Sequence, residues 1–219
     1  MSSLFISYIQ SDPWFYFSWV VIVMFSVCVH EYSHAITALR FGDDTAEASG
    51  HLTLDPLVQL GPISLGVLVF FGIAWGAVPI NPSRLSRGEM GVVALAGPLA
   101  NLALCLLAGL LAAVVGLEFW GGEGLLKAAE FLQFACVANG VLFLFNMLPV
   151  PLLDGWKVLG MFYHRIYDIK EETANMITTM FFIVVFVGPT GAYIWIYGRR
   201  LGAAVIAIFD GLFRLVGLA

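Results

Sequence analysis

The fold and the chemistry of this chain centre on the stretch Val27-Cys28-Val29-His30-Glu31-Tyr32-Ser33-His34-Ala35, which ends a run of otherwise apolar residues. On a helix, His30 and His34 lie about 40° apart around the axis and roughly 6 Å along it, so both face one ion. Glu31 lies beside them and can take a proton from water that the ion activates. The spacing predicts a zinc site inside a membrane. The alternative is a set of polar residues that line a helix bundle for packing or proton relay.

The composition is that of an integral membrane protein. Of 219 residues, 60% are hydrophobic and 11% are charged, whereas a soluble domain has about 25% charged residues. No linker divides the chain, so a single domain over residues 1–219 is predicted. The net charge of −5 is scattered and no basic run occurs, which predicts no nucleic-acid partner. The three cysteines lie in apolar runs without C-x-x-C spacing, as packing residues do.

The first membrane helix is predicted to begin at Ser11-Asp12-Pro13, a capping side chain followed by proline. Trp14 and the aromatic residues after it are typical of a membrane interface. His30 follows Trp14 by about 24 Å of helix, which is deep in a hydrocarbon core of about 30 Å. Because this run carries the histidines, we expect it to be retained rather than removed as a signal peptide.

The segment after the first helix is mixed in character. Leu52-Thr53-Leu54 alternates as a short strand does, which predicts an extended segment or hairpin. Residues 62–78 form an apolar run at the lower limit of length for crossing a bilayer. Two longer apolar runs follow, and they predict membrane-spanning helices at 90–116 and 125–148.

The C-terminal part is predicted to hold two further apolar helices over about residues 175–218. The first runs to Tyr197 with a bend at Gly188-Pro189, and Gly198-Arg199-Arg200 turns the chain into the second, at 201–218. The predicted fold is therefore an all-α polytopic membrane protein. It is a bundle of about five to six membrane segments, with a short β or re-entrant region between the first helix and the core.

A catalytic zinc site needs a third protein ligand, and Asp154 is the best candidate. It follows a helix stopped by two prolines and stands where the chain leaves the membrane. A helix-capping role for Asp154 is the alternative. The other candidates are His51, Asp55, Glu89, Glu130, His164 and Asp210.

The pairing of His34 with Asp154 constrains the topology. His34 lies at the end of the first helix and Asp154 follows the end of the 125–148 helix, so an even number of crossings must separate them, yet three apolar runs lie between them. Residues 62–78 must therefore re-enter or lie within the protein. With the amino terminus outside, seven of the ten basic residues fall on the cytoplasmic side, which places the site toward the cytoplasm. These seven are Arg40, Arg84, Arg87, Lys157, Arg165, Lys170 and Arg214.

Zinc held by His30, His34 and Asp154 would activate water for attack on a carbonyl, with Glu31 as the base. The expected reaction is hydrolysis of a peptide bond. The oxyanion that forms needs donors besides zinc, and the polar side chains inside the spans are Asn101, Asn139 and Asn146. Each of the three could equally form an interhelical hydrogen bond.

These residues resemble the site-2 protease family of intramembrane zinc metalloproteases in its compact prokaryotic form. The likeness runs over about residues 15–165. Besides the histidine motif it rests on Phe41-Gly42-Asp43-Asp44-Thr45-Ala46, Gly50-His51-Leu52-Thr53-Leu54-Asp55-Pro56-Leu57, Ala77-Val78-Pro79-Ile80-Asn81-Pro82, Ala96-Gly97-Pro98-Leu99-Ala100-Asn101 and Asn146-Met147-Leu148-Pro149-Val150-Pro151-Leu152-Leu153-Asp154-Gly155. Asp55 departs from the usual Asn, and Gln59-Leu60-Gly61 replaces a common His-Ile-Asp stretch.

The resemblance implies one zinc ion per chain on His30, His34 and Asp154, with Glu31 as the catalytic base. It also implies that Asn146 and Asn139 position substrate or stabilise the oxyanion. The catalytic core would cover about residues 14–165 of a multi-pass protein of the cell membrane. The implied substrate is a membrane-spanning protein, cleaved within or near its span.

Two alternatives stay open at this point. A membrane metalloprotease of this kind could act on soluble or juxtamembrane peptides, although the depth of His30 argues against it. The chain could instead be a non-enzymatic zinc-binding or ion-conducting membrane protein, in which Glu31 only supports a ligand.

Overall fold

The computed structural model describes residues 4–116, 123–186 and 190–215, and the chain within these ranges is almost wholly helical. The α-helices are α1 (Tyr8–Ser11), α2 (Pro13–Arg40), α3 (Thr45–Ala48), α4 (Pro56–Gln59), α5 (Gly61–Phe71), α6 (Arg87–Val115), α7 (Glu123–Asn146), α8 (Asp154–Phe162), α9 (Glu171–Phe186) and α10 (Thr190–Leu215). Short 3₁₀ turns lie at Phe5–Ser7, Pro82–Arg84 and His164–Asp168. The predicted all-α class is confirmed.

Helices α2, α6 and α7 form the centre of the fold and pack against one another. They are also the three helices in the described part of the chain that are long and apolar enough to cross a membrane. The chain is therefore membrane-embedded. The structure does not support the predicted count of about five to six segments, because α5 is too short and neither α9 nor α10 is among the three helices that meet these criteria.

The ends of the two longest helices are set by capping, as the sequence indicates. The Asp12 carboxylate accepts a hydrogen bond from the Phe15 N–H and Pro13 opens α2, which confirms the predicted start of the first span. Helix α6 begins with a capping box between Ser86 and Glu89.

The predicted strand at Leu52-Thr53-Leu54 is wrong. Residues 51–55 form bends and irregular chain between the short helices α3 and α4. The Gln59 side chain donates hydrogen bonds to the carbonyls of His51 and Thr53, so this segment is held by a side chain rather than by a paired strand.

Residues 61–78 fold back as a hairpin alongside α2. Helix α5 has eleven residues and is about 17 Å long, roughly half of what a crossing requires. The chain reverses at Gly72, whose φ is +75° and whose carbonyl accepts a hydrogen bond from the Trp19 indole. It then returns in extended form, with Trp75 bonded to Ser64 and the Ala77 N–H to the Gln59 carbonyl. The fold-back agrees with the prediction that residues 62–78 do not cross.

Asp43 ties the loop after α2 to the end of this hairpin. Its buried carboxylate accepts hydrogen bonds from Thr45 and, at 2.7 Å, from the Asn81 N–H. Burial alone would raise the pKa of Asp43, but these hydrogen bonds and the nearby Arg84 guanidinium outweigh it and hold that pKa below its ordinary value. Arg84 also forms an ion pair with Asp44.

The predicted turn at Gly198-Arg199-Arg200 is wrong, because α10 runs through it without a break. Gly198 permits close helix packing instead. A Cβ at this position would lie 2.1 Å from Cγ2 of Val141 on α7. The bend predicted at Gly188-Pro189 lies outside the described residues.

Candidate metal centre

Three ligand atoms converge where α2 meets the start of α8. Nε2 of His30 and Nε2 of His34 lie 3.0 and 3.2 Å from Oδ2 of Asp154, and 3.0 Å from each other. All three side chains are buried. The structure thus brings together the three residues that the sequence predicts as metal ligands, in a group that could hold a metal ion.

The loop between α7 and α8 aims Asp154 at the histidines. The turn Val150–Leu153 is closed by the hydrogen bond from the Leu153 N–H to the Val150 carbonyl, with Leu152 at a φ of +86°. Gly155 then packs onto the chain after α7, where a Cβ would lie 2.3 Å from the Met147 carbonyl oxygen. This contact brings the first turn of α8 against the end of α7. Asp154 is therefore directed by a tight loop, as its position after two prolines suggests.

Each imidazole is anchored through its second nitrogen. Nδ1 of His30 lies 2.6 Å from Oδ1 of Asn101, and Nδ1 of His34 lies 2.7 Å from the carbonyl oxygen of Val93. Both partners are oxygen acceptors, so each Nδ1 carries the proton. Each neutral imidazole therefore presents a bare lone pair at Nε2.

The donor set fits zinc. Two imidazole lone pairs and a carboxylate oxygen lie 3.0–3.2 Å apart, and such atoms repel one another unless a cation lies between them. In a tetrahedral zinc site with bonds of about 2.0–2.1 Å, neighbouring ligand atoms are about 3.3 Å apart. Gly97 leaves the space open, since a Cβ there would lie 2.4 Å from Nε2 of His34 and 2.6 Å from Nε2 of His30.

Asp154 lies beside a cationic side chain as well as beside the two imidazoles. Its other oxygen, Oδ1, lies 3.9 Å from the ammonium of Lys157, one turn along α8.

Glu31 is buried beside this group and lies against the second half of the hairpin formed by residues 61–78. A Cβ on Gly76 would lie 2.3 Å from Cγ and 2.7 Å from Oε1 of Glu31. The carboxylate is therefore in contact with the backbone of the extended segment after α5.

The two asparagines predicted to act in catalysis occupy different places. Asn139 accepts a hydrogen bond from the Asn101 amide at 3.0 Å and donates one to the Ala135 carbonyl, so its amide faces Asn101 and its own helix. Asn146 donates to the Leu142 carbonyl and stands at the end of α7, next to the loop that carries Asp154. Their catalytic roles stay predictions.

Sequence reasoning missed three contributions to this centre: the space left by Gly97, the carbonyl of Val93 and the charge of Lys157. The spacing of Lys157, three residues after Asp154 on a helix, is a signal that could have been used. The other two could not be found, because they depend on which turn of α6 faces α2.

A metal group of two histidines and one aspartate, with a glutamate adjacent to the first histidine on a membrane helix, defines a class of membrane-embedded metallopeptidases. Comparisons with known proteins agree. The sequence model of peptidase family M50 matches residues 123–188. "Putative zinc metalloprotease YwhC" of Bacillus subtilis is 30% identical over 203 residues, which cover 89% of this chain and 92% of that protein.

Two further relatives are similar over most of the chain. "Putative zinc metalloprotease Rip2" of Mycobacterium tuberculosis is 32% identical over 203 residues, covering 82% of this chain and 74% of Rip2. "Putative zinc metalloprotease MJ0611" of Methanocaldococcus jannaschii is 34% identical over 168 residues, covering 73% of this chain and 80% of that protein. No solved structure matches the chain significantly.

The chain belongs to peptidase family M50, the site-2 protease family, and is a zinc metalloendopeptidase. The predicted family, enzyme class and zinc cofactor are thus confirmed. Membership of a peptidase family argues against the alternative of a non-enzymatic zinc-binding or ion-conducting protein.

Replacing Gly97 by alanine tests the space at the metal centre. Because the new methyl group would lie within 2.6 Å of Nε2 of both histidines, we expect the zinc affinity of Gly97→Ala to fall about tenfold or more. Zinc affinity is measured on purified protein in detergent by competition with a chelator.

Gly88→Ala is the matched control. Gly88 lies on the same helix, and a Cβ there meets nothing within 4 Å, so its zinc affinity should equal that of the wild type. Undiminished affinity in Gly97→Ala would show that the ligand atoms move apart at little cost.

Proposed function

We propose that this chain is an intramembrane endopeptidase that hydrolyses peptide bonds of membrane-spanning proteins, with His30, His34 and Asp154 as zinc ligands and Glu31 as the catalytic base. The observation that carries the proposal is the position of the metal group on α2. The helix is one of the three candidate spans, and His30 is about 24 Å along it from Trp14. A site at this depth is reached most directly by a substrate that is itself in the membrane.

The zinc ion, when bound, lowers the pKa of water and polarises a carbonyl group. The protein's own residues do the rest. Glu31 accepts the proton of the attacking water and passes it to the amine that leaves. Asp154 and the two neutral imidazoles would hold the metal with a single negative charge, so the site would keep a net positive charge to act on the substrate.

Lys157 adds a second positive charge at the same place. Its ammonium lies 3.9 Å from Oδ1 of Asp154 and partly offsets the charge of that carboxylate. A partly exposed cation beside the metal group also favours the negative charge that develops on the substrate carbonyl. The amide of Asn101 donates two hydrogen bonds within the protein, whereas those of Asn139 and Asn146 each donate one.

The extended chain beside Glu31 offers a way to hold the substrate. The N–H groups of Trp75 and Ala77 bond back to Ser64 and Gln59. Those of Gly76, Val78 and Ile80 donate to no acceptor within the described ranges. This alternation is that of an edge strand with one free side.

A substrate helix must unwind before its backbone can be cleaved, and each backbone group freed in lipid costs several kcal/mol. Pairing an extended substrate with this free edge would satisfy those groups next to Glu31. The edge thus supports a substrate that enters as a helix and is cleaved as a strand.

The multi-pass arrangement and the cytoplasmic placement of the site remain part of the proposal. The ion pair of Arg84 with Asp44 and the bond of Asp43 to Asn81 show that the loops after α2 and before α6 lie at one end of the bundle. This end carries Arg40, Arg84 and Arg87, in keeping with the positive-inside tendency. The oligomeric state is left open.

The assignment of Glu31 and Asp154 is tested by two substitutions. Glu31→Gln removes the base but no ligand, so we expect proteolysis to fall by about 10²–10⁴-fold while about one zinc per chain is kept. Asp154→Ala removes a ligand, so zinc should be lost as well. Metal analysis and cleavage of a single-span substrate measure the two effects.

The control is Glu123→Gln, which removes an exposed carboxylate that pairs with Lys127 on α7, and it should match the wild type in both assays. Proteolysis retained by Glu31→Gln would overturn the proposed mechanism. If Asp154→Ala bound as much zinc as the wild type, Asp154 would not be the third zinc ligand.

A substitution at Gly76 tests the contact of the hairpin with the base. An alanine there would push the hairpin from Glu31, and we expect a loss of activity of about 10²-fold with zinc retained. Gly66→Ala lies on α5 of the same hairpin, where a Cβ meets nothing within 4 Å, and should keep full activity. Equal activity of the two variants would show that the contact between the hairpin and Glu31 does not contribute to catalysis.

The location of the scissile bond tests the intramembrane proposal. In lipid vesicles, a single-span substrate of known orientation should be cut inside its span, in the half that faces the cytoplasm. Mass spectrometry of the two products identifies the bond. Scission confined to the flanking soluble segments would favour a protease of soluble or juxtamembrane peptides.

A further inference from the structure

A chain of amide hydrogen bonds runs from α7 through α6 to the metal group. Asn139 on α7 contacts Asn101 on α6, and Asn101 contacts His30 on α2. Asn101 is fully buried and Asn139 is 3% exposed. These hydrogen bonds thus join α2, α6 and α7 at a single buried place.

The donor and the acceptor in each of these hydrogen bonds are set by the main-chain carbonyls of Ala135 and Ser26, which can only accept. Nδ2 of Asn139 donates to the Ala135 carbonyl at 2.9 Å, so its Oδ1 must face Asn101. Asn101 then uses Nδ2 to donate to Oδ1 of Asn139 and, at 3.3 Å, to the Ser26 carbonyl. Its remaining atom, Oδ1, is left to face Nδ1 of His30 at 2.6 Å.

This arrangement determines the tautomer of His30. An acceptor at Nδ1 requires the proton on that nitrogen, which leaves the lone pair on Nε2, the atom that faces Asp154 and His34. The opposite tautomer would set the Nδ1 lone pair against a lone pair of Asn101 Oδ1 and would place the proton on Nε2, at the metal position. The sequence alone does not choose between this role for Asn101 and an ordinary interhelical hydrogen bond.

We propose that Asn101 is a positioning residue that fixes the tautomer and ring orientation of His30 for zinc, and that Asn139 acts behind it by orienting the Asn101 amide. The inference rests on the proposed ligand set. Both N–H donors of Asn101 and one of the two of Asn139 are used within the protein. It also replaces the catalytic role predicted for Asn139 with a supporting one.

Four variants separate this role from general packing. Asn101→Leu has nearly the same shape but no acceptor, so the His30 ring can turn and Nδ1 loses its partner. We expect zinc affinity to fall about 10–100-fold. Asn101→Asp keeps an acceptor oxygen at Nδ1 and should bind zinc more tightly than Asn101→Leu. Asn139→Leu leaves the bond of Asn101 to Ser26 intact and should cause a smaller loss than Asn101→Leu.

Cys105→Ala is the fourth variant and the packing control. Cys105 lies one turn from Asn101 on α6, is fully buried and contacts Cys136 on α7. It therefore perturbs the same helix interface without touching His30, and its zinc affinity should equal that of the wild type.

The measurement is zinc affinity by chelator competition on the full chain in detergent, with thermal unfolding of the metal-free proteins as a check of folding. Wild-type affinity in Asn101→Leu would overturn the inference, as would equal losses in Asn101→Leu and Cys105→Ala. Equal affinities of Asn101→Asp and Asn101→Leu would also overturn it. A wrong ligand set would give a different result from a wrong role for Asn101. If His30 were not a zinc ligand, His30→Ala would bind zinc as tightly as the wild type.

Discussion

The structure depends on one electrostatic constraint, the convergence of three lone-pair atoms in a setting that water does not reach freely. Two imidazole nitrogens and a carboxylate oxygen lie within 3.2 Å of one another, and a bound cation would make such a cluster favourable. The ligands come from residues 120 or more apart in the chain. The contact between α2 and the start of α8 must therefore be stabilised by packing elsewhere in the bundle.

That packing is supplied by close approach at glycines and by polar contacts that cross between helices. Gly97 lets α6 come against the two histidines, and Gly155 lets the first turn of α8 fold onto the end of α7. Lipid tails are as apolar as a neighbouring helix, so moving apolar side chains from lipid into a helix interface gains little free energy. Close packing at small residues and hydrogen bonds between buried amides therefore contribute more to helix association. The amides of Asn101 and Asn139 meet this need and contact a ligand as well.

The parts of this protein that the sequence predicted are those with local or counting signals. The start of α2 followed from Asp12 and Pro13, and the fold-back of residues 61–78 agrees with the parity of crossings between His34 and Asp154. The convergence of His30, His34 and Asp154 followed from one spacing motif and one aspartate after a stopped helix. These features survive because each depends on a few neighbouring residues or on topology alone.

The errors share a different cause. Leu52-Thr53-Leu54 alternates as a strand does, but the described part of the chain holds no strand to pair with it, and the Gln59 side chain bonds to this segment instead. Gly198 has the composition of a turn, yet it lies where α10 presses on Val141. In both cases a tertiary neighbour decides the structure, and one sequence does not name that neighbour. The anchoring of His34 by the Val93 carbonyl is hidden for the same reason.

The two histidine anchors differ in kind, and this difference limits how the centre can vary. The carbonyl of Val93 is part of the backbone, so no amino-acid exchange at position 93 other than one that moves the helix can delete it. The anchor of His30 is a side chain. A substitution at position 101 can therefore remove the anchor of His30, whereas the anchor of His34 persists through any side-chain exchange at position 93 that leaves the helix in place.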